Sequence, residues 1–254
     1  MAEDTFTHFV EITKRLRREC PWDKEQTHRS IRHSLIEEAY EVVESIDDGD
    51  MAELRKELGD LLLHVVFHAN IAEEQKEFTL DEVITAITDK LIFRHPHIFG
   101  DAKVENADHV KQNWEKLKMK EGRESLMDGV PRELPALLRA HRLTEKASKV
   151  GFDWKKKEDA WQKVDEEMHE LHRAIESGNE TEVEAEFGDL LFALVNYSRF
   201  LRINPENALR TTVEKFVTRF RYIERGLKAR GKDIHATSLE EMDQLWEEAK
   251  RSPG

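Results

Sequence analysis

The chain is predicted to be all-α, built as two helical units in tandem, and three observations predict it. Gly and Pro number only 11 and 6 in 254 residues, while Glu, Lys, Leu and Ala abound, a balance that favours helix over sheet. Apolar residues recur at three- and four-residue intervals through most of the chain, and no stretch alternates as a strand would. An acidic pattern also occurs twice: Glu38, Glu41, Glu57 and Asp60 are matched by Glu167, Glu170, Glu186 and Asp189, each 129 positions on. The same offset carries Gly49 onto Gly178 and Gly59-Asp60-Leu61-Leu62 onto Gly188-Asp189-Leu190-Leu191.

The elements follow in order. Residues 6–19 place Phe9, Ile12 and Leu16 on one face and stop at Cys20-Pro21, because the residue before a proline is pushed out of the helical region. Residues 31–46 form a second helix with Leu35, Ile36, Ala39, Val42, Val43 and Ile46 on its apolar stripe. Asp47-Asp48-Gly49-Asp50 is a turn, and 51–74 the third helix. A fourth spans 80–93, is interrupted by Arg94-His95-Pro96-His97, and helix resumes over 104–121. Gly122, Gly129, Pro131 and Pro135 mark a linker at 122–135, which divides the chain into units 1–121 and 136–254. The second unit repeats the plan: helix 137–150, loop 151–154, helix 160–175, a turn at Ser177-Gly178-Asn179, helix 182–201, helix 205–230, and a short terminal helix carrying Trp246.

Composition excludes several classes. A net charge of −13 argues against binding a nucleic-acid polymer, which needs a basic surface to neutralise phosphates, though free nucleotides remain open to a chain that holds a cation. The single cysteine, Cys20, cannot form an internal disulfide and fits a reducing cytoplasm. The first eleven residues carry Glu3, Asp4 and Glu11 and lack a signal-peptide core, and the apolar run at 61–67 is too short for a membrane span.

The carboxylates carry the chemistry. Residues three apart share a helix face, so Glu38 and Glu41 flank the stripe of one helix, while Glu57 and Asp60 flank the Leu54, Leu58, Leu61 and Val65 stripe of the next. Folding the pair across the turn brings four acids together, with Glu37 and Glu44 facing solvent. Two like charges about 5 Å apart repel by about 3 kcal/mol at an effective dielectric of about 20, so such a cluster calls for a cation or for protonation. Hard oxygen ligands suit Mg²⁺ or Mn²⁺, which also accept substrate phosphates. No Glu-x-x-His pair accompanies the acids, contrary to a ferritin-like di-iron centre.

With Cys20-Pro21-Trp22-Asp23, Gln26-Thr27-His28, the run Lys56 to Leu62, and Arg94-His95-Pro96-His97, the doubled pattern Glu-Glu-x-x-Glu … Glu-x-x-Asp resembles the MazG family of nucleoside triphosphate pyrophosphohydrolases over essentially the whole chain. The resemblance implies the all-α fold related to dimeric dUTP pyrophosphatases, a homodimer, and Mg²⁺-dependent cleavage of NTPs and dNTPs between α- and β-phosphates to NMP and pyrophosphate. It implies too that Glu38, Glu41, Glu57, Asp60, Glu167, Glu170, Glu186 and Asp189 serve as ligands or as base, without saying which is the base. The residues themselves leave a non-catalytic acidic helical interaction module as the alternative.

A triphosphate also needs cations. Lys215 and Arg219 share a face behind the second acidic pair, and Lys90 and Arg94 repeat them at an offset of 125. Trp114 with Lys118 and Trp246 with Lys250 form a further repeated pair, suited to stack a base and reach a phosphate. Trp22 and Trp154 read as loop-packing residues. His64 has Ala193 at its repeat position, so His64 and His68 read as packing or tuning residues rather than ligands. Both halves keep the acids, and the second is the plainer bundle.

Overall fold

A computed structural model describes residues 2–106, 110, 117 and 125–251. Its contacts divide the chain into two compact units, Met1–Trp114 and Glu115–Gly254. Among the described residues every regular element is helical.

The first unit contains α1 (Ala2–Glu19), a 3₁₀ turn at Asp23–Glu25, α2 (Arg32–Asp48), α3 (Met51–Glu74), α4 (Leu80–Arg94) and the short α5 (Pro96–Phe99). The second contains α6 (Ala136–Ser148), α7 (Lys157–Ser177), α8 (Glu180–Phe200), α9 (Pro205–Ala229), a 3₁₀ turn at Ile234–Ala236 and α10 (Leu239–Arg251). The expected stops hold at Cys20-Pro21 and at Pro96. Residues 104–106 are not helical, and the rest of the helix expected over 104–121 lies outside the described residues, apart from helical 110 and 117. Within the stretch expected as a linker, buried Lys146 donates to the carbonyls of Leu126 at 2.9 Å and Asp128 at 3.0 Å, drawing that stretch onto α6.

The two acidic hairpins are built alike. Gly49 (φ 70°) ends α2 and Gly178 (φ 72°) ends α7 in the left-handed conformation that glycine adopts without steric cost. The next residue caps the following helix: Asp50 accepts from the amides of Ala52 and Glu53, and Asn179 from that of Thr181. Thr79 with Glu82 forms a capping box on α4, and Asn204 with Pro205 at the first helical position opens α9.

Cores are small. In the first unit Phe9 and Val10 of α1 pack on Val66, Ala69 and Leu80, and a second cluster joins Ile31, Phe67 and Ile71 with Leu63. In the second, Val164 of α7 meets Leu190 and Ala193 of α8, while Ile223 and Leu227 of α9 meet Leu245 of α10. The stripes expected to face these cores are covered only in part: Ile36, Ile46, Leu58 and Val65 stay exposed. Ile84, Ile87 and Leu91 on α4 and Leu209, Val213, Phe216 and Phe220 on α9 are likewise open to solvent. No helix among the described residues is long and apolar enough to cross a membrane.

Two arginines tie loops to these frames. Buried Arg17 donates to Glu74 at 2.9 and 2.5 Å and to the carbonyls of Asp23 and Gln26, which fixes the loop after α1 against α3. In the second unit Arg199 of α8 holds Asp153 at 2.6 and 3.2 Å and thereby the loop bearing Trp154.

Candidate metal-carboxylate centre

Both hairpins bring three of their four patterned acids together. Glu38, Glu41 and Glu57 offer oxygens within 4.8 Å of one another, and so do Glu167, Glu186 and Asp189. The members shared by the two sets are repeat counterparts, Glu38 with Glu167 and Glu57 with Glu186. The third differs, Glu41 of α2 in one and Asp189 of α8 in the other. Asp60 and Glu170 sit half-buried beside these triads rather than within them. Glu170 is held by Arg173 at 3.0 Å, at the position where the first half has Glu44. Glu37 is exposed as expected. Glu44 is exposed as well, and it lines a cleft of about 270 Å³ with Glu41, Ser45, Asp48, Asp50, Glu53, Lys56 and Glu57.

The carboxyls are shifted in opposite directions. A hydrogen bond with Glu57, then burial and the charges of Glu38 and Glu57, hold the Glu41 carboxyl above the ordinary glutamate range. Glu57 is pulled the other way, chiefly by the hydrogen bond from Lys56, against the opposing effect of its burial. Glu186 is raised by burial first, then by the charges of Glu170, Asp189 and Glu167, with Arg173 opposing. Crowding of like charges raises carboxyls in this way, and a nearby cation lowers them.

This fixes a stability prediction. A carboxyl raised in the folded state binds protons that the unfolded chain has already lost, so its stabilising contribution is complete below the ordinary value and disappears as pH rises through the raised one. The Glu186→Gln protein, free of metal, should therefore melt progressively higher than the parent as pH climbs past 4.5, the unperturbed glutamate value. Thermal melts in chelator across pH 4 to 8 check this, and a gap that stays constant would contradict it.

The oxygen-only donor sets fit a hard divalent cation, with each triad combining a buried, a half-buried and an exposed acid. The expected phosphate-binding residues are placed less tightly. Arg94 is buried and Lys90 exposed on α4. On α9, Lys215 is exposed, and the Arg219 guanidinium lies 5.5 Å from the ring centre of Trp246. Lys250 bonds Glu247 at 2.5 Å within its own helix. Trp114 and Lys118 lie outside the described residues. Helical spacing passed over Lys56, Lys163 and Arg173, the cations that touch the acids; their positions one, four and three residues from Glu57, Glu167 and Glu170 were the available signal. His28 and His68 stack with ring centres 5.1 Å apart and Nδ1 atoms 2.8 Å apart, and so close the loop after α1 onto α3.

Comparison with known proteins gives the same outline. The model of the MazG nucleotide pyrophosphohydrolase domain matches residues 26–99 and again 156–223, one copy over each acidic hairpin and the helix after it. The chain is 43% identical over 250 residues to the nucleoside triphosphate pyrophosphohydrolase/pyrophosphatase MazG of Thermotoga maritima, covering 96% of this chain and 95% of that one. It is 42% identical over 240 residues to the nucleoside triphosphate pyrophosphohydrolase of Escherichia coli, covering 91% and 90%. An uncharacterized Bacillus subtilis protein, YabN, is 48% identical over 253 residues, which span 97% of this chain and 52% of that longer one. With the domain present twice and the Thermotoga maritima and Escherichia coli relatives matched nearly end to end, this chain belongs to the MazG family.

Proposed function

We propose that the chain hydrolyses nucleoside triphosphates, ribo and deoxy, between the α- and β-phosphates, giving NMP and pyrophosphate and clearing unwanted nucleotides from the pool. The observation that carries this reading is the convergence of three carboxylates in each hairpin, two of them at corresponding positions of the repeat. Glu38, Glu41, Glu57 and Asp60 in the first half, and Glu167, Glu170, Glu186 and Asp189 in the second, are the proposed ligands and base. Mg²⁺, with Mn²⁺ as substitute, is the proposed ion. When bound, such an ion neutralises phosphate charge and polarises the phosphorus–oxygen bond under attack.

The side chains do the rest. The acids position the water and one accepts its proton as the oxygen joins the α-phosphorus and the bond to the bridging oxygen breaks, that oxygen leaving with pyrophosphate. Lys215, Arg219 and Lys250, with Lys90, Arg94 and Lys118 in the first half, meet the phosphate oxygens, and Trp246 and Trp114 stack against the base. Turnover is assigned to the second half. The first cleft carries six acids and one lysine. At the corresponding positions the second half has Glu170, Glu182 and Glu186, with Arg173, Ala174, Ser177, Asn179 and Ala185 in place of Glu44, Ser45, Asp48, Asp50 and Lys56. A polyanionic triphosphate is repelled far less there.

Chromatographic product analysis on a panel of NTPs and dNTPs tests the reading. NMP and pyrophosphate are expected with Mg²⁺, and none after chelation. NDP with phosphate would move the cleavage site, and turnover in chelator would remove the metal. Self-association as a homodimer is also proposed, because Ile84 and Leu91 on α4 and their counterparts Leu209 and Phe216 on α9 are exposed apolar residues on helical stripes. Light scattering should return twice the chain mass of 29.8 kDa.

A further inference from the structure

One carboxylate in each half is almost removed from solvent, and a lysine meets each of them. Glu57 is 3% exposed and accepts from Lys56 Nζ at 3.0 Å. Glu167 is 6% exposed and lies 2.6 Å from Lys163 Nζ. Both ammonium groups hold an outer acid as well, Glu53 at 2.7 Å and Glu166 at 2.8 Å.

These lysines are not repeat counterparts. The offset of 129 sets Ala185 against Lys56 and Ser34 against Lys163. One ammonium therefore reaches its site from the second helix of the hairpin and the other from the first, onto different acids of the set. Unrelated positions that deliver the same charge to the same kind of buried oxygen point to a need of the cluster itself. Exposed lysine pairs contribute little, but a buried carboxylate left without a partner is costly. Lys56 is also the one cation among the described side chains that line the first cleft, where it faces Glu41, Glu44, Asp48, Asp50, Glu53 and Glu57.

We propose that Lys56 and Lys163 are resident counter-cations: each holds the buried carboxylate of its site while the divalent ion is absent and yields it when the ion binds, so that the ammonium sets the ion affinity. The proposal rests on the metal reading above. An ammonium on a four-carbon stem suits this exchange, because it can swing aside without disturbing either helix.

The test is Mn²⁺ binding, by calorimetry and by the spin resonance of free ion, on the full chain without nucleotide. Lys56→Met is measured in a Glu186→Gln background and Lys163→Met in a Glu57→Gln background, so that one intact site titrates in each. Each Met variant should bind Mn²⁺ about threefold or more tightly than its background and melt lower in chelator, as loss of a competing charge requires. Lys56→Arg and Lys163→Arg, which keep the charge, should bind close to the background. Unchanged or weaker binding in the Met variants overturns the proposal, and the two halves report independently should one variant fail to fold. An unsubstituted protein that binds no Mn²⁺ overturns the metal reading, and this proposal with it.

Discussion

Glu186→Gln should lower kcat/KM for NTP hydrolysis at least about a hundredfold, since even partners one shell away from a metal change affinity or activity by about 10- to 100-fold. Gln keeps the shape and burial of Glu186 but cannot supply an anion to Glu167 and Asp189, whose oxygens lie within 4.8 Å of its own. The same substitution relieves the crowding that raises the Glu186 carboxyl, so the metal-free fold should be no less stable than the parent. Loss of activity without loss of stability separates a site residue from a structural one. Glu57→Gln, its counterpart, should leave most of the turnover in place. A reversed pattern would move the activity to the first half, and full activity in both variants would remove these acids from catalysis.

Leu227→Ala should cost about 3 kcal/mol, within the range of about 2 to 5 found for buried Leu→Ala changes. Leu227 and Leu245 are each 1% exposed and close the contact between α9 and α10 with Ile223. The helices approach closely at that point, where a methyl added to Gly226 would lie 2.9 Å from Leu245 Cδ2, so little else can move in to fill the void. Denaturant unfolding measures the loss. Because Trp246 packs on the same cluster, KM should rise more than kcat falls. A change in kcat alone would detach Trp246 from substrate binding.

Much of this was legible in the sequence, and the misses share a cause. Gly49-Asp50 and Gly178-Asn179 announced both hairpins because a left-handed stop followed by a capping side chain is local chemistry. The pairing of Glu38 with Glu57, and of Glu167 with Glu186, followed from which helix flank each occupies. Spacing weights four acids equally, however, whereas Glu41 bonds Glu57 in one half and its counterpart Glu170 is held by Arg173 in the other, where Asp189 completes the set. The reach of a lysine side chain is not periodic either, so helical spacing assigns Lys56 and Lys163 no contact with the acids. Burial of the stripes was overestimated at Ile36, Leu58 and Val65, because periodicity identifies an apolar face without saying what covers it.

The tight turns have a consequence for how the protein comes into being. Glu38 and Asp60 are 22 positions apart, and every acid of a site belongs to one antiparallel pair of helices. Closing a loop of about ten residues takes on the order of 10–100 ns, and contacts this near in sequence are formed at little entropic cost. The first carboxylate set can thus assemble on the ribosome before the second has been translated. Copying a block of 129 residues duplicates a whole centre rather than half of one, leaving each copy free to change its surrounding charges.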